Sequence, residues 1–169
     1  MIPGNFIPVI KSLAGQCDLL GLIWAFTGSL NLALWGFDLD PHDIDLETDR
    51  FGAEQFDHLH TDKAVWSLHL RESEMMQSWF ARYDYNGVQV EVMGDCRYHQ
   101  PDGSWIDQRP LDKRIRRMAW QDFTLPLLDL ADEYESCILM GRLEKAERIR
   151  AWLAEHPTTS EINNRISDD

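Results

Sequence analysis

The sequence predicts an α+β protein: a mixed β-sheet packed by helices, closed by a C-terminal helical pair. Three observations predict it. Apolar and polar side chains alternate with period two on both sides of Asn86-Gly87, a strand–turn–helix pattern passes through Thr27-Gly28-Ser29, and from Asp129 the apolar period becomes helical. With 169 residues, 44% of them hydrophobic and including seven Trp and seven Phe, the chain can bury a real core. The expected division is an α/β core over 1–128, a helical pair over 129–155 and a polar, frayed tail over 156–169.

Residues 5–15 suit a short helix. Leu19–Phe26 reads as a buried strand, Thr27-Gly28-Ser29 punctuates it, and Leu30–Trp35 resumes with good helix formers. Residues 38–57 hold eight acidic side chains and one Arg. Within them His42–Thr48 reads as a half-buried strand, with Ile44 and Leu46 alternating against Asp43, Asp45 and Glu47. Ala64–Leu70 and Trp79–Tyr85 are further strands. Asn86-Gly87 between two strand patterns signals a hairpin, because the tight hairpin turn needs two residues that tolerate positive φ. Beyond it Val88, Val90 and Val92 face one way and Gln89 and Glu91 the other. Arg114–Phe123 suits an edge strand that Leu125-Pro126-Leu127 breaks. Asp129 to about Met140 is helical, Gly141 is the stop, and a second helix runs from about Arg142 to Leu153.

The formal charge of −13 excludes duplex nucleic acid as a natural partner, since affinity for polyphosphate backbones comes mainly from Lys and Arg. The apolar run Leu19–Leu34 is interrupted by Thr27, Gly28, Ser29 and Asn31 and falls short of a bilayer span. No secretory leader is recognisable, and three widely spaced cysteines without a Cys-x-x-Cys pair suit a reducing, cytoplasmic setting.

The combination that carries chemistry is Gly28-Ser29, thirteen residues, then Asp43-Ile44-Asp45-Leu46, with Glu91 on a later strand in Val90-Glu91-Val92. Residues i and i+2 of a strand point the same way, so Asp43 and Asp45 can grip one hard divalent cation. The rival pair Asp38-Leu39-Asp40 lies closer to Ser29 and is followed by Pro41, which fits a paired strand poorly. This pattern resembles the nucleotidyltransferase superfamily with the DNA polymerase β-like fold, in its minimal branch. The likeness extends over about residues 18–154, through Gly94-Asp95, Asp102-Gly103-Ser104-Trp105 and Leu125–Leu130; its departures are Thr27, where an apolar residue is usual, and a spacing at the long end of the range.

The resemblance implies a polymerase β palm-like sheet and transfer of a nucleoside monophosphate from an NTP to a hydroxyl acceptor, with release of pyrophosphate. It implies Mg²⁺, or Mn²⁺, on Asp43, Asp45 and Glu91, with Glu91 as third ligand or general base. Gly28 and Ser29 would cradle the phosphates, and Arg142 and Lys145, which fall in the apolar sector of the last helix, would neutralise them. The alternative is a nucleotide-binding regulatory module that has lost transfer, such as one half of a toxin–antitoxin pair.

Other features have plainer readings beside functional ones. Arg142 and Lys145 can equally snorkel over the core or pair with a structural carboxylate. Lys113-Arg114-Ile115-Arg116-Arg117 is a second phosphate candidate, although a charge-protected edge strand accounts for it better. His42 beside the acid pair, and His58, His60 and His69, form no convincing metal pattern, and no zinc is assigned. Seven Trp leave room for an apolar contact with a second copy or a protein partner.

Overall fold

The computed structural model describes residues 1–156, so all but the first residue of the expected tail lies outside the described residues. The chain divides into two units, Met1–Leu128 and the segment from Asp129 onward.

The first unit opens with α1 (Phe6–Leu19), whose buried residues Phe6, Val9, Ile10, Leu13, Ala14 and Cys17 recur at helical spacing. It stops at Gly21, where Leu22 N–H bonds the Cys17 carbonyl and Gly21 N–H that of Asp18. This stop corrects the expected strand Leu19–Phe26. Leu19 closes the helix and is 88% exposed, and β1 covers only Trp24–Thr27. Then come α2 (Gly28–Trp35), β2 (Ile44–Thr48) and α3 (Arg50–Leu59). The strands β3 (Ala64–Glu72), β4 (Met76–Asp84), β5 (Gln89–His99) and β6 (Trp105–Asp107) follow, then β7 (Ile115–Trp120) and β8 (Phe123–Leu128).

The strands form one mixed sheet in the order β3-β4-β5-β2-β1-β8-β7, with β6 also on β5. The pairs β2–β5 and β1–β8 are parallel and the rest antiparallel. The turn between β4 and β5 has Asn86 and Gly87 both at positive φ, the geometry for which Asn-Gly is suited. One sheet face, with Ile44, Leu46, Ala81, Tyr83, Val90 and Val92, packs into a single core with α1 and with Ala53 and Phe56 of α3.

Two further expectations are corrected. Leu125-Pro126-Leu127 does not break the strand, since β8 runs through Pro126 and lies between β1 and β7. Its ladder with β1 is short, recorded only at Phe26 opposite Leu127, so a missing N–H at Pro126 costs little there. The basic run is not uniformly solvated either. Arg114, just before β7, is 1% exposed and ion-paired with Glu47, because a carboxylate buried on β2 needs a compensating charge.

The second unit consists of α4 (Leu130–Leu139), capped by the Asp129 carboxylate on Ala131 N–H, and α5 (Leu143–Glu155). Gly141 at positive φ separates them, and Ala146, Ile149 and Leu153 are the buried stripe of α5. No helix among the described residues is long and apolar enough to cross a membrane. The three cysteines are buried and unbonded to one another; burial pushes the Cys17 thiol up to about 12 and that of Cys137 to about 11.

Candidate functional site

Strand register assembles the site. Thr27 of β1 stands opposite Asp45 of β2, Asp45 opposite Glu91 of β5, Glu91 opposite Arg82 of β4, and Arg82 opposite Trp66 of β3. Residues paired across strands share a face, so these five form one row across five strands, on the face turned away from the α1–α3 core. Asp43 lies two residues before Asp45, in the bend that leads into β2, and is half-buried like Asp45.

Gly28 opens α2 with φ of +70°, and a Cβ there would run into the Asp45 Oδ2 atom. The phosphate-candidate turn therefore lies directly against the second carboxylate of the pair, and only glycine allows that approach. Ser29, the next residue of α2, is half-buried. Gly28, Ser29, Asp43, Asp45 and Glu91 are thus brought to one region of the first unit. The rival residues Asp38 and Asp40 sit exposed in the preceding loop.

Glu91 is held from one side. Its Oε1 accepts from Arg82 Nη2 at 2.7 Å and Nε at 2.9 Å, and from Gln89 Nε2 at 3.0 Å. Its Oε2 has no protein partner among the described residues. The Arg82 guanidinium also lies over the Trp66 ring, 4.1 Å from its centroid. Among the described residues no three His, Cys, Asp or Glu side chains are gathered closely enough to hold a cation as they stand. The carboxylate oxygens of Asp43 and Asp45 are donors of the hard kind that Mg²⁺ prefers, and Glu91 Oε2 is the oxygen that Arg82 leaves uncontacted.

Of the basic pair of the second unit, Lys145 has a carboxylate partner. Lys145 Nζ bonds Glu133 Oε1 at 2.8 Å. Burial pulls the Lys145 pKa down, but the Glu133 charge outweighs it and holds the ammonium above its ordinary value. Lys145 therefore has a structural carboxylate, the plainer of its two readings. Arg142 precedes α5 and is exposed, and Leu143, the first residue of that helix, is 63% exposed.

Sequence reasoning missed Arg82, Trp66 and the Arg114–Glu47 pair. Only the Asn86-Gly87 turn, which sets the β4–β5 register, hinted that Arg82 and Glu91 would meet. A cleft of about 750 Å³ opens past the end of β2, lined by Thr48, Asp49, Arg97, Asp107 and Arg114 among others. None of Asp43, Asp45 and Glu91 lines it, so it is separate from the acid row.

No family model and no curated protein matches the chain. Among solved structures it is similar to a candidate nucleotidyltransferase from Thermotoga maritima, with 33% identity, a TM-score of 0.80, and coverage of 92% of this chain and 96% of that one. It is also similar to the lincomycin-bound lincosamide antibiotic adenylyltransferase LnuA, with a TM-score of 0.52, 10% identity and coverage of 78% and 84%, a likeness of fold alone. A third of residues identical over nearly the whole of both chains, on an α+β fold whose acids stand in one row beside a glycine turn, decides the matter: the chain belongs to the nucleotidyltransferases.

Proposed function

We propose that the protein transfers a nucleoside monophosphate from an NTP to a hydroxyl acceptor and releases pyrophosphate, in a Mg²⁺-dependent reaction that Mn²⁺ also supports. The observation that carries this reading is the register: Glu91 beside Asp45, Asp43 two residues away, and the Gly28 turn against the Asp45 carboxylate. Asp43 and Asp45 would hold the metal, which when bound neutralises triphosphate charge and polarises the α-phosphorus. Backbone N–H groups at the start of α2 and the Ser29 hydroxyl would receive the anionic phosphates.

Glu91 serves as general base. Arg82 and Gln89 fix one carboxylate oxygen, so the other keeps a defined direction, as a base oriented by a further group should. The acceptor oxygen forms a bond to the α-phosphorus as its proton passes to Glu91 Oε2. The bond from the α-phosphorus to the bridging oxygen breaks, and pyrophosphate leaves with its electron pair.

One observation favours a second reading, a nucleotide-binding regulatory module without transfer: Glu91 already has a cationic partner in Arg82. Pyrophosphate release separates the two. With Mg²⁺ and each of the four NTPs, an enzyme releases pyrophosphate in the wild type and not in Asp43→Asn or Asp45→Asn. A regulatory module shows a nucleotide-dependent thermal shift and no release.

A further inference from the structure

Next to the acid row, on the same sheet face, β3 and β4 carry Trp66, His69, Arg71 and Phe80. Phe80 is 2% exposed, covered by Trp66 and His69 with ring centroids 6.0 and 6.1 Å away. The Arg71 guanidinium lies over Phe80 at 4.5 Å and reaches Trp66 at 5.8 Å. Arg71 is exposed, and among the described residues it has no carboxylate partner. A guanidinium held by ring faces spends none of its N–H donors on them, which leaves its fork for a planar or tetrahedral anion.

The shelf is within reach of the base. Phe80 stands opposite Met93, two residues along β5 from Glu91 and on its face, a diagonal spacing of about 7–8 Å. Trp66, 44% exposed, forms the outer wall of the same row. A molecule presenting a hydroxyl to Glu91 Oε2 therefore extends a few bonds further across the exposed Trp66 ring that covers Phe80 and meets Arg71.

We infer that Arg71, seated on Phe80 and Trp66, anchors the phosphate or carboxylate of a small anionic hydroxyl compound, and that this compound is the acceptor. The inference rests on the nucleotidyl-transfer reading, and it specifies what that reading leaves open: the acceptor carries its own negative charge a few bonds from the reacting hydroxyl. The nucleotide and the acceptor anion then have separate cradles, the Gly28 turn and Arg71, on either side of Glu91.

The test uses the isotope-labelled full chain and NMR. Glycerol 3-phosphate, glycerate and glycerol are titrated separately, with the Arg71 Nε–H and Trp66 indole N–H resonances as readouts. A non-hydrolysable ATP analogue with Mg²⁺ is titrated with Gly28 and Ser29 as readouts. One or both anions should shift Arg71 and Trp66 with saturation while glycerol does not, and whichever binds tighter names phosphate or carboxylate as the anchor. Arg71→Gln should weaken that binding roughly tenfold, with partial return in Arg71→Lys and no change in nucleotide-analogue affinity. The inference is overturned if neither anion moves Arg71 while the nucleotide binds at Gly28, or if the analogue's own phosphates move Arg71. If the analogue binds nowhere, the transfer reading itself has failed, and an anion at Arg71 is then no acceptor.

Discussion

Arg82 and Glu91, opposite one another on β4 and β5, share an ion pair of 2.7 Å in which a single carboxylate oxygen takes every contact while the guanidinium rests on Trp66. The pair is partly buried, so dissolved salt screens it less than an exposed pair. Its consequence is directional. Glu91 is fixed at one oxygen and available at the other.

Replacing Arg82 by Gln should therefore split two properties. Oε1 then keeps only the Gln89 bond and Glu91 loses its cationic partner, so Mn²⁺ should bind several-fold more tightly by electron paramagnetic resonance, while turnover falls about 10- to 100-fold because the base is less firmly oriented. In an Arg82→Gln/Glu91→Gln double variant the gain in Mn²⁺ affinity should vanish. Unchanged Mn²⁺ affinity in the single variant would show that the pair does not compete with metal.

At Gly28, alanine meets two obstacles at once. A left-handed conformation costs a residue with a side chain roughly 1–2 kcal/mol, and the added methyl runs into Asp45. Gly28→Ala should lower the thermal midpoint by several degrees and weaken nucleotide binding more than Ser29→Ala does. Calorimetry and nucleotide titration of the two variants make the comparison.

The buried Arg114–Glu47 pair predicts an asymmetry between single and double substitution. Arg114→Met removes a buried guanidinium from a carboxylate that is 5% exposed and should destabilise by about 3–5 kcal/mol in urea titration. Adding Glu47→Gln should recover a large part of that loss. If the two effects simply summed, the pair would not be coupled.

His60 predicts a pH dependence. It is 4% exposed, its Nδ1–H donates to the Phe56 carbonyl at 2.8 Å, its Nε2 lies 2.8 Å from the Gln16 amide, and its ring packs on Phe56. Burial holds its pKa below the usual 6.5. The unfolded chain then takes up a proton that the folded one refuses, so stability is complete above about pH 6.5–7 and declines as pH falls toward the folded-state value. His60→Gln should flatten that decline, and urea midpoints at pH 7.5 and 5.5 for both proteins would show it.

The parts of this fold legible in the sequence are those that local chemistry dictates. Asn86-Gly87 announces its turn, Val88, Val90 and Val92 announce a buried face, Thr27-Gly28-Ser29 announces the start of α2, and Ile44 with Leu46 announces β2, on which the candidate site is built. Helix α3 was not expected, because Gly52 weakens its helical signal. That glycine is needed where a Cβ would strike the Thr48 hydroxyl. Cross-strand neighbours are less legible still. Whether Glu91 meets Arg82 depends on register, and Arg114 finds Glu47 across 67 residues, a pairing that no local pattern encodes. The same holds for Lys145, whose helical face is visible in the sequence while its partner Glu133, one helix earlier, is not.

The position of β8 has a consequence for how the chain comes off the ribosome. Strand β1 is complete by Thr27, yet its outer neighbour is not made until Phe123–Leu128. Asn31 Nδ2 and Trp35 Nε1 both wait for the Leu128 carbonyl, at 3.1 and 3.2 Å in the finished fold. For about a hundred residues of synthesis, several seconds at ordinary elongation rates, β1 presents an open edge and α2 lacks its anchor. The nascent protein is most vulnerable to sticking during that interval, and the last strand of the first unit ends it.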